Sequence, residues 1–200
     1  MKSNSKNIAV LISGGGTNLQ ALIDNTRNNY INGEIKIVIS NNKDAYGLER
    51  AKNAEIEGAF IRDNDKLLSL LMEKDIDLIV LAGYLKILPE EIIRKFENKI
   101  INIHPSLIPS FCGKGFYGLK VHEAVIEKGV KYTGATTHFV NENADEGPII
   151  MQKCIEVKTE DAEELQQEVL KFEHEILVES VKYFCEDKLK VIDGKVKIGE

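Results

Sequence analysis

The run Asn102-Ile103-His104-Pro105-Ser106-Leu107-Ile108-Pro109 places an amide, an imidazole and a hydroxyl within five residues. It leaves a short apolar strand approached through Phe96 to Ile101, and two prolines stiffen the exit. Alternation along a strand turns Asn102 and His104 to the same side. A neutral hydrogen-bond donor then stands beside a group that titrates near neutral pH. Such a pair suits a reaction in which a carbonyl oxygen gains charge while a proton moves. The same two residues could instead satisfy loop backbone, and spacing alone leaves both readings open.

A second group is Ser13-Gly14-Gly15-Gly16-Thr17-Asn18, between an apolar run and the start of a helical pattern. Glycines let backbone approach a ligand, and free N–H groups at a helix N-terminus attract anions, so phosphate is the natural guest. The loop lacks the Gly-Lys-Ser/Thr ending of a P-loop, which argues against nucleotide hydrolysis. Leu19 stands where the dinucleotide fingerprint needs its third glycine, which argues against NAD. A tight turn without a ligand is the alternative. Asp145 lies in the turn Asn141 to Gly147, whose acids do not follow a calcium loop, and no metal is expected. His122 and His138 read as structural. Glu173, within a long helix beside its apolar stripe, reads as a solvated carboxylate. Cys112, Cys154 and Cys185 show no metal-ligand spacing and read as reduced thiols, only Cys112 being a candidate for reactivity.

Regular elements must position these groups. Strand patterns at 7–12, 34–40, 58–61, 77–82 and 99–103 alternate with helical patterns from Thr17, over 45–54 and 66–74, and from Pro89. This rhythm predicts an α/β fold with a doubly wound, mostly parallel sheet. Ligands on such sheets sit at the carboxyl ends of the strands, where both the glycine loop and Asn102 to His104 fall. Further on, a helix over 119–128 leads to strand patterns at 132–140 and 148–157, read as an antiparallel pair. Thr159 is expected to cap a long helix. A hairpin around Asp193-Gly194 closes the chain, and one domain over 1–200 is expected.

The net charge of -6 argues against general nucleic-acid binding, so an anionic ligand must be held by local donors. The longest apolar run, Leu78 to Leu85, is too short to span a bilayer, and a cytoplasmic protein is expected.

Four segments together resemble the folate-dependent formyltransferase family. They are Leu11 to Gln20, Leu81 to Leu88, Asn102 to Pro109, and His138-Phe139-Val140 through Asp145-Glu146-Gly147-Pro148. The likeness runs from about residue 7 to 185 and is greatest to the purine-pathway branch. Relatives acting on methionyl-tRNA or hydrolysing formyltetrahydrofolate carry a further domain, for which this length leaves no room. The resemblance implies a Rossmann-like fold and transfer of the formyl group of 10-formyltetrahydrofolate to the amine of glycinamide ribonucleotide, without a metal. A hydrolase, a transferase to another amine and a non-catalytic phosphometabolite-binding module are the alternatives. By likeness, Asn102 and a protonated His104 stabilise the reacting oxygen, and Asp145 holds His104 and raises its pKa. Gly15, Gly16, Thr17 and Asn18 hold the phosphate, and Glu173 meets the ribose or amine end. Leu85, Lys86, Ile87, Leu88, Asn102, Asn141, Glu142 and Arg62 line the folate site. Two segments depart from the family pattern. The stretch Ile61 to Lys66 is shortened where the family carries an Arg near the substrates, which leaves open whether Arg62 takes that place, and the loop Phe111 to Tyr117 is longer and richer in glycine. The partners implied are small molecules, with neither nucleic acid nor membrane, acting on a monomer or homodimer.

Overall fold

The structure is a computed structural model that describes residues 5–199; residues 1–4 and 200 of the expected domain lie outside the described residues. Strands β1 (Lys6–Ile12), β2 (Gly33–Ser40), β3 (Gly58–Phe60), β4 (Leu78–Leu81) and β5 (Ile100–His104) alternate with helices α1 (Thr17–Arg27), α2 (Tyr46–Asn53), α3 (Asn64–Glu73) and α4 (Glu90–Lys95). There follow α5 (Leu119–Glu127), the strands β6 (Tyr132–Phe139) and β7 (Ile149–Glu156), the long α6 (Ala162–Cys185), and the hairpin β8 (Leu189–Ile192) and β9 (Lys195–Ile198). The main sheet has the order β3-β2-β1-β4-β5-β6-β7. Pairing is parallel from β3 to β5 and antiparallel from β5 to β7.

Period-two alternation explains the layering. Ile8, Val10 and Ile12 of β1 join the core that contains Leu19, Leu22 and Ile23 of α1 and Val169, Leu177 and Val181 of α6. Ala9 and Leu11, between them, face the opposite core with Leu67 and Leu71 of α3 and Ile92 and Ile93 of α4. A strand segment covered on both faces must be apolar, as β1 is from Ile8 to Ile12 and β4 is throughout. Because β2 and β4 flank β1, the winding reverses there, opening a crevice at the carboxyl ends of β1 and β4. The glycine loop, residues 83–88 and the exit from β5 all meet that crevice.

Two helix starts differ from the sequence reading, each for a local reason. The long helix is capped by Asp161, whose Oδ1 accepts the N–H groups of Glu163 (2.8 Å) and Glu164 (3.0 Å). Thr159 instead accepts the N–H of Asp161 at 3.1 Å, one step upstream. In α3 the cap is Asp63, whose Oδ1 accepts the Lys66 N–H at 2.8 Å, so that helix begins at Asn64 rather than Lys66.

Candidate active site

Strand β5 carries Asn102 and His104 on one face, as alternation requires, and β6 places His138 directly opposite Asn102. The turn after β6 then folds Asp145 back over them, with Asp145 in the left-handed region at φ 58. The Asn102 amide donates to Asp145 Oδ1 at 3.4 Å and lies 3.1 Å from His138 Nε2. His138 Nδ1 lies 2.9 Å from the Phe139 carbonyl, which can only accept, so Nδ1 carries a proton. In the neutral ring Nε2 is therefore the acceptor that fixes the Asn102 amide. His104 Nε2 meets the Phe111 carbonyl at 2.9 Å and by the same argument is a donor. Its Nδ1 faces Asp145 Oδ2 at 3.7 Å, too long for a hydrogen bond and an ion pair only when the ring is protonated. That same oxygen, Oδ2, also accepts the Gly113 N–H at 2.8 Å, so Asp145 ties the loop over the cluster.

Electrostatics correct one expectation. Burial of His104 outweighs the Phe111 carbonyl and the Asp145 charge, and its pKa lies below the usual imidazole value rather than above it. Asp145 does act in the expected direction, but the ring's desolvation is the larger effect. For Asp145 itself burial opposes ionisation. His138, the charge of His104 and the Gly113 N–H together prevail, holding its carboxyl below the ordinary range. His138 Nε2 lies 3.6 Å from Asp145 Oδ1, beyond ordinary hydrogen-bond reach. Phe111 sits at φ 49, costly for a bulky residue, and its carbonyl is the one that meets His104.

Read from sequence, His138 is structural, whereas the structure puts it inside the cluster. Glu173 is corrected too: it is 7% exposed, not solvated. Its Oε2 accepts from Asn18 Nδ2 at 2.9 Å, joining α6 to the glycine loop. Burial pushes the Glu173 carboxyl up, against the pull of Asn18. Asn18 Oδ1 is buried with no protein partner, an acceptor at the head of α1. Gly16, at φ 72, forms the turn into α1, and Gly15 and Thr17 are exposed beside it.

Ser13 links this loop to the segment after β4. Its hydroxyl donates to Asn41 Oδ1 and accepts the Leu85 N–H, each at 2.8 Å. Leu85 and Ile87 are 61% and 81% exposed, an apolar wall at the crevice, while Leu88 turns into the core. Lys86 Nζ donates to the Arg62 carbonyl and Asn64 Oδ1, both at 2.7 Å. The exposed Arg62 donates to the Asn41 carbonyl at 3.1 Å, which keeps it at the rim. In the turn, Asn141 Oδ1 accepts the Asn143 N–H at 3.1 Å, and Glu142 is exposed. Cys112 is not an activated thiol: burial and then the charges of Asp145 and Glu146 push its pKa up. Among the described residues no set of His, Cys, Asp or Glu is grouped to hold a metal ion, and no helix is long and apolar enough to cross a membrane.

Residues 6–181 match the family described as formyl transferase. A phosphoribosylglycinamide formyltransferase of Haemophilus influenzae is 42% identical over 94% of this chain and 92% of its own length. The chloroplastic phosphoribosylglycinamide formyltransferase of Arabidopsis thaliana is 39% identical over 92% of this chain, which spans 67% of that longer protein. Among solved structures, glycinamide ribonucleotide transformylase 1 from Symbiobacterium toebii superposes with a TM-score of 0.93. It is 37% identical and covers 100% of this chain and 96% of its own.

Proposed function

The chain belongs to the formyl transferase family, and from that premise we propose that it transfers the formyl group of 10-formyltetrahydrofolate to the amine of glycinamide ribonucleotide, a step of purine biosynthesis. The observation that carries the reading is the convergence of Asn102, His104 and Asp145 at the exit of β5. With Nε2 committed to the Phe111 carbonyl, Nδ1 is the nitrogen that titrates, and it faces Asp145. Burial keeps the resting ring neutral, so Nδ1 starts as a base rather than as a charged donor.

Attack of the amine on the formyl carbon forms the new C–N bond, and the amine's proton passes to His104 Nδ1. The imidazolium so formed lies against Asp145, and with the Asn102 amide it balances the charge on the formyl oxygen. The looser of the two Asn102 contacts, at 3.4 Å to Asp145, is the one that oxygen replaces. When the bond from the formyl carbon to N10 of the folate breaks, the proton returns to N10. Gly15, Gly16, Thr17 and Asn18 hold the phosphate, and Glu173 with Asn18 receives the ribose or amine end. Leu85, Lys86, Ile87, Leu88, Asn102, Asn141, Glu142 and Arg62 form the folate side. The described cysteines are free thiols, which fits a reducing, cytoplasmic setting, and residues 1–200 act as one domain.

Spectrophotometric turnover with and without glycinamide ribonucleotide tests the reading. Donor consumption that requires the ribonucleotide, and falls by about 10²–10³ in His104→Ala, is the expected result. Consumption without the ribonucleotide makes the chain a hydrolase, and full turnover by His104→Ala removes the proposed base.

A further inference from the structure

Every carbonyl of the glycine loop is held from behind. The Ser13 carbonyl accepts from Asn42 Nδ2 at 3.4 Å, and Gly14 from the Gly47 N–H at 3.0 Å. Gly15 accepts from Arg50 Nε at 2.8 Å, and Gly16 from the Gln20 N–H at 2.9 Å. In a trans peptide the C=O and the following N–H point in opposite directions. Fixing the Gly14 oxygen on α2 therefore turns the Gly15 N–H away from α2, and fixing the Gly15 oxygen does the same for the Gly16 N–H. Among the described residues, the N–H groups of Gly15, Gly16, Thr17 and Asn18 have no protein acceptor in the hydrogen bonds outside regular elements. The buried, unpartnered Asn18 Oδ1 adds a further polar atom at the same place.

Helix α2 is built for this contact. A Cβ on Gly47 would stand 2.3 Å from Ile12 Cδ1 and 3.4 Å from both the Gly14 oxygen and Gly16 Cα, so glycine here lets the helix start sit close against the loop, where its N–H reaches Gly14. One helical turn after Tyr46, Arg50 lies on the same face, with its guanidinium carbon 5.1 Å from the ring centroid. Its Nη1 donates to Gln20 Oε1 at 3.2 Å. The guanidinium is thus fixed by the loop, by α1 and by its own helix. In a chain of net charge -6 it puts a permanent cation directly behind the loop.

We propose that Arg50 is a positioning residue for the substrate's phosphate: it locks the peptide between Gly15 and Gly16 with its N–H toward the ligand, and its charge favours the anion. Without it, a peptide flanked by two glycines rotates easily, and a flipped unit presents a carbonyl oxygen to the phosphate. The proposal rests on the phosphate assignment made above for this loop.

Arg50→Met keeps the stem and loses the fork and the charge, while Arg50→Lys keeps the charge and one donor. Both are compared with the unsubstituted enzyme on glycinamide ribonucleotide and on its phosphate-free riboside, with melting temperatures recorded. The expected result for Arg50→Met is a rise of at least about tenfold in the KM of the ribonucleotide. Its kcat, its folate KM and its riboside KM stay within about threefold, and Arg50→Lys falls between. Equal rises for ribonucleotide and riboside, or a ribonucleotide KM unchanged in a folded Arg50→Met, overturn the proposal. Should the unsubstituted chain show no turnover, the proposed reaction fails, and calorimetric binding of the same two ligands then decides the role of Arg50 by the same ratio. Should that chain bind both equally, the loop is not the phosphate site and the proposal falls with it.

Discussion

His122 offers a stability test whose size follows from its surroundings. It lies on α5 with 0% of its surface exposed, and neither ring nitrogen has a protein hydrogen-bond partner. Burial, with a smaller contribution from the charge of His104, pushes its pKa down to about 4. An unfolded histidine titrates near 6.5. As pH falls below that value, the unfolded chain takes up a proton that the folded chain refuses. Stability present above pH 6.5 is therefore lost as pH falls toward 4. Each unit costs about 1.4 kcal/mol, so the interval of roughly 2.5 units removes about 3 kcal/mol. That is a large share of the roughly 5–15 kcal/mol typical of a domain. His122→Leu, of similar volume, removes both the titration and the unpaired nitrogens. Urea unfolding of the two proteins at pH 7 and pH 4 is the assay, since the other groups titrate in both and cancel in the comparison. The unsubstituted chain should lose about 3 kcal/mol more than the variant across that interval. Equal losses in the two proteins would refute the assignment of this depressed pKa to His122.

Two further predictions concern the crevice. Gly16→Ala forces a Cβ to 2.8 Å from Gly47 Cα at a left-handed backbone position, so the ribonucleotide KM should rise while the folate KM holds; steady-state kinetics with each substrate varied checks this. His138→Leu removes the acceptor that fixes the Asn102 amide, and kcat should fall about tenfold to a hundredfold, as misplaced catalytic groups do, with the ribonucleotide KM little changed. A kcat within twofold of the unsubstituted enzyme would show that Asn102 is held without it.

Much of this is legible in the sequence, because strand alternation and the βα rhythm are local properties. They place Asn102 and His104 on one face and put the glycine loop and the β5 exit at the same end of the sheet. Other features depend on distant pairing. His138 joins the cluster only through the antiparallel register that sets it opposite Asn102, which no spacing along the chain reveals. Glu173 looks like an ordinary surface carboxylate until Asn18 is brought to it. The pKa of His104 turns on how deeply the ring is buried, which residue types alone do not state. The cap of α6 is decided between Thr159 and Asp161 by geometry alone, since both residue types cap well.

The bond between Asn18 and Glu173 joins residues 155 positions apart. Closing a loop of that length costs on the order of 4–5 kcal/mol in chain entropy, so this contact is a poor candidate for nucleating the fold. Local βα units can form first, and the head of the first helix meets the last long helix only when the sheet between them is in place. A ligand held there consequently rewards the finished structure rather than the folding transition state. Its binding should act mainly as a brake on unfolding and leave the rate of folding nearly unchanged.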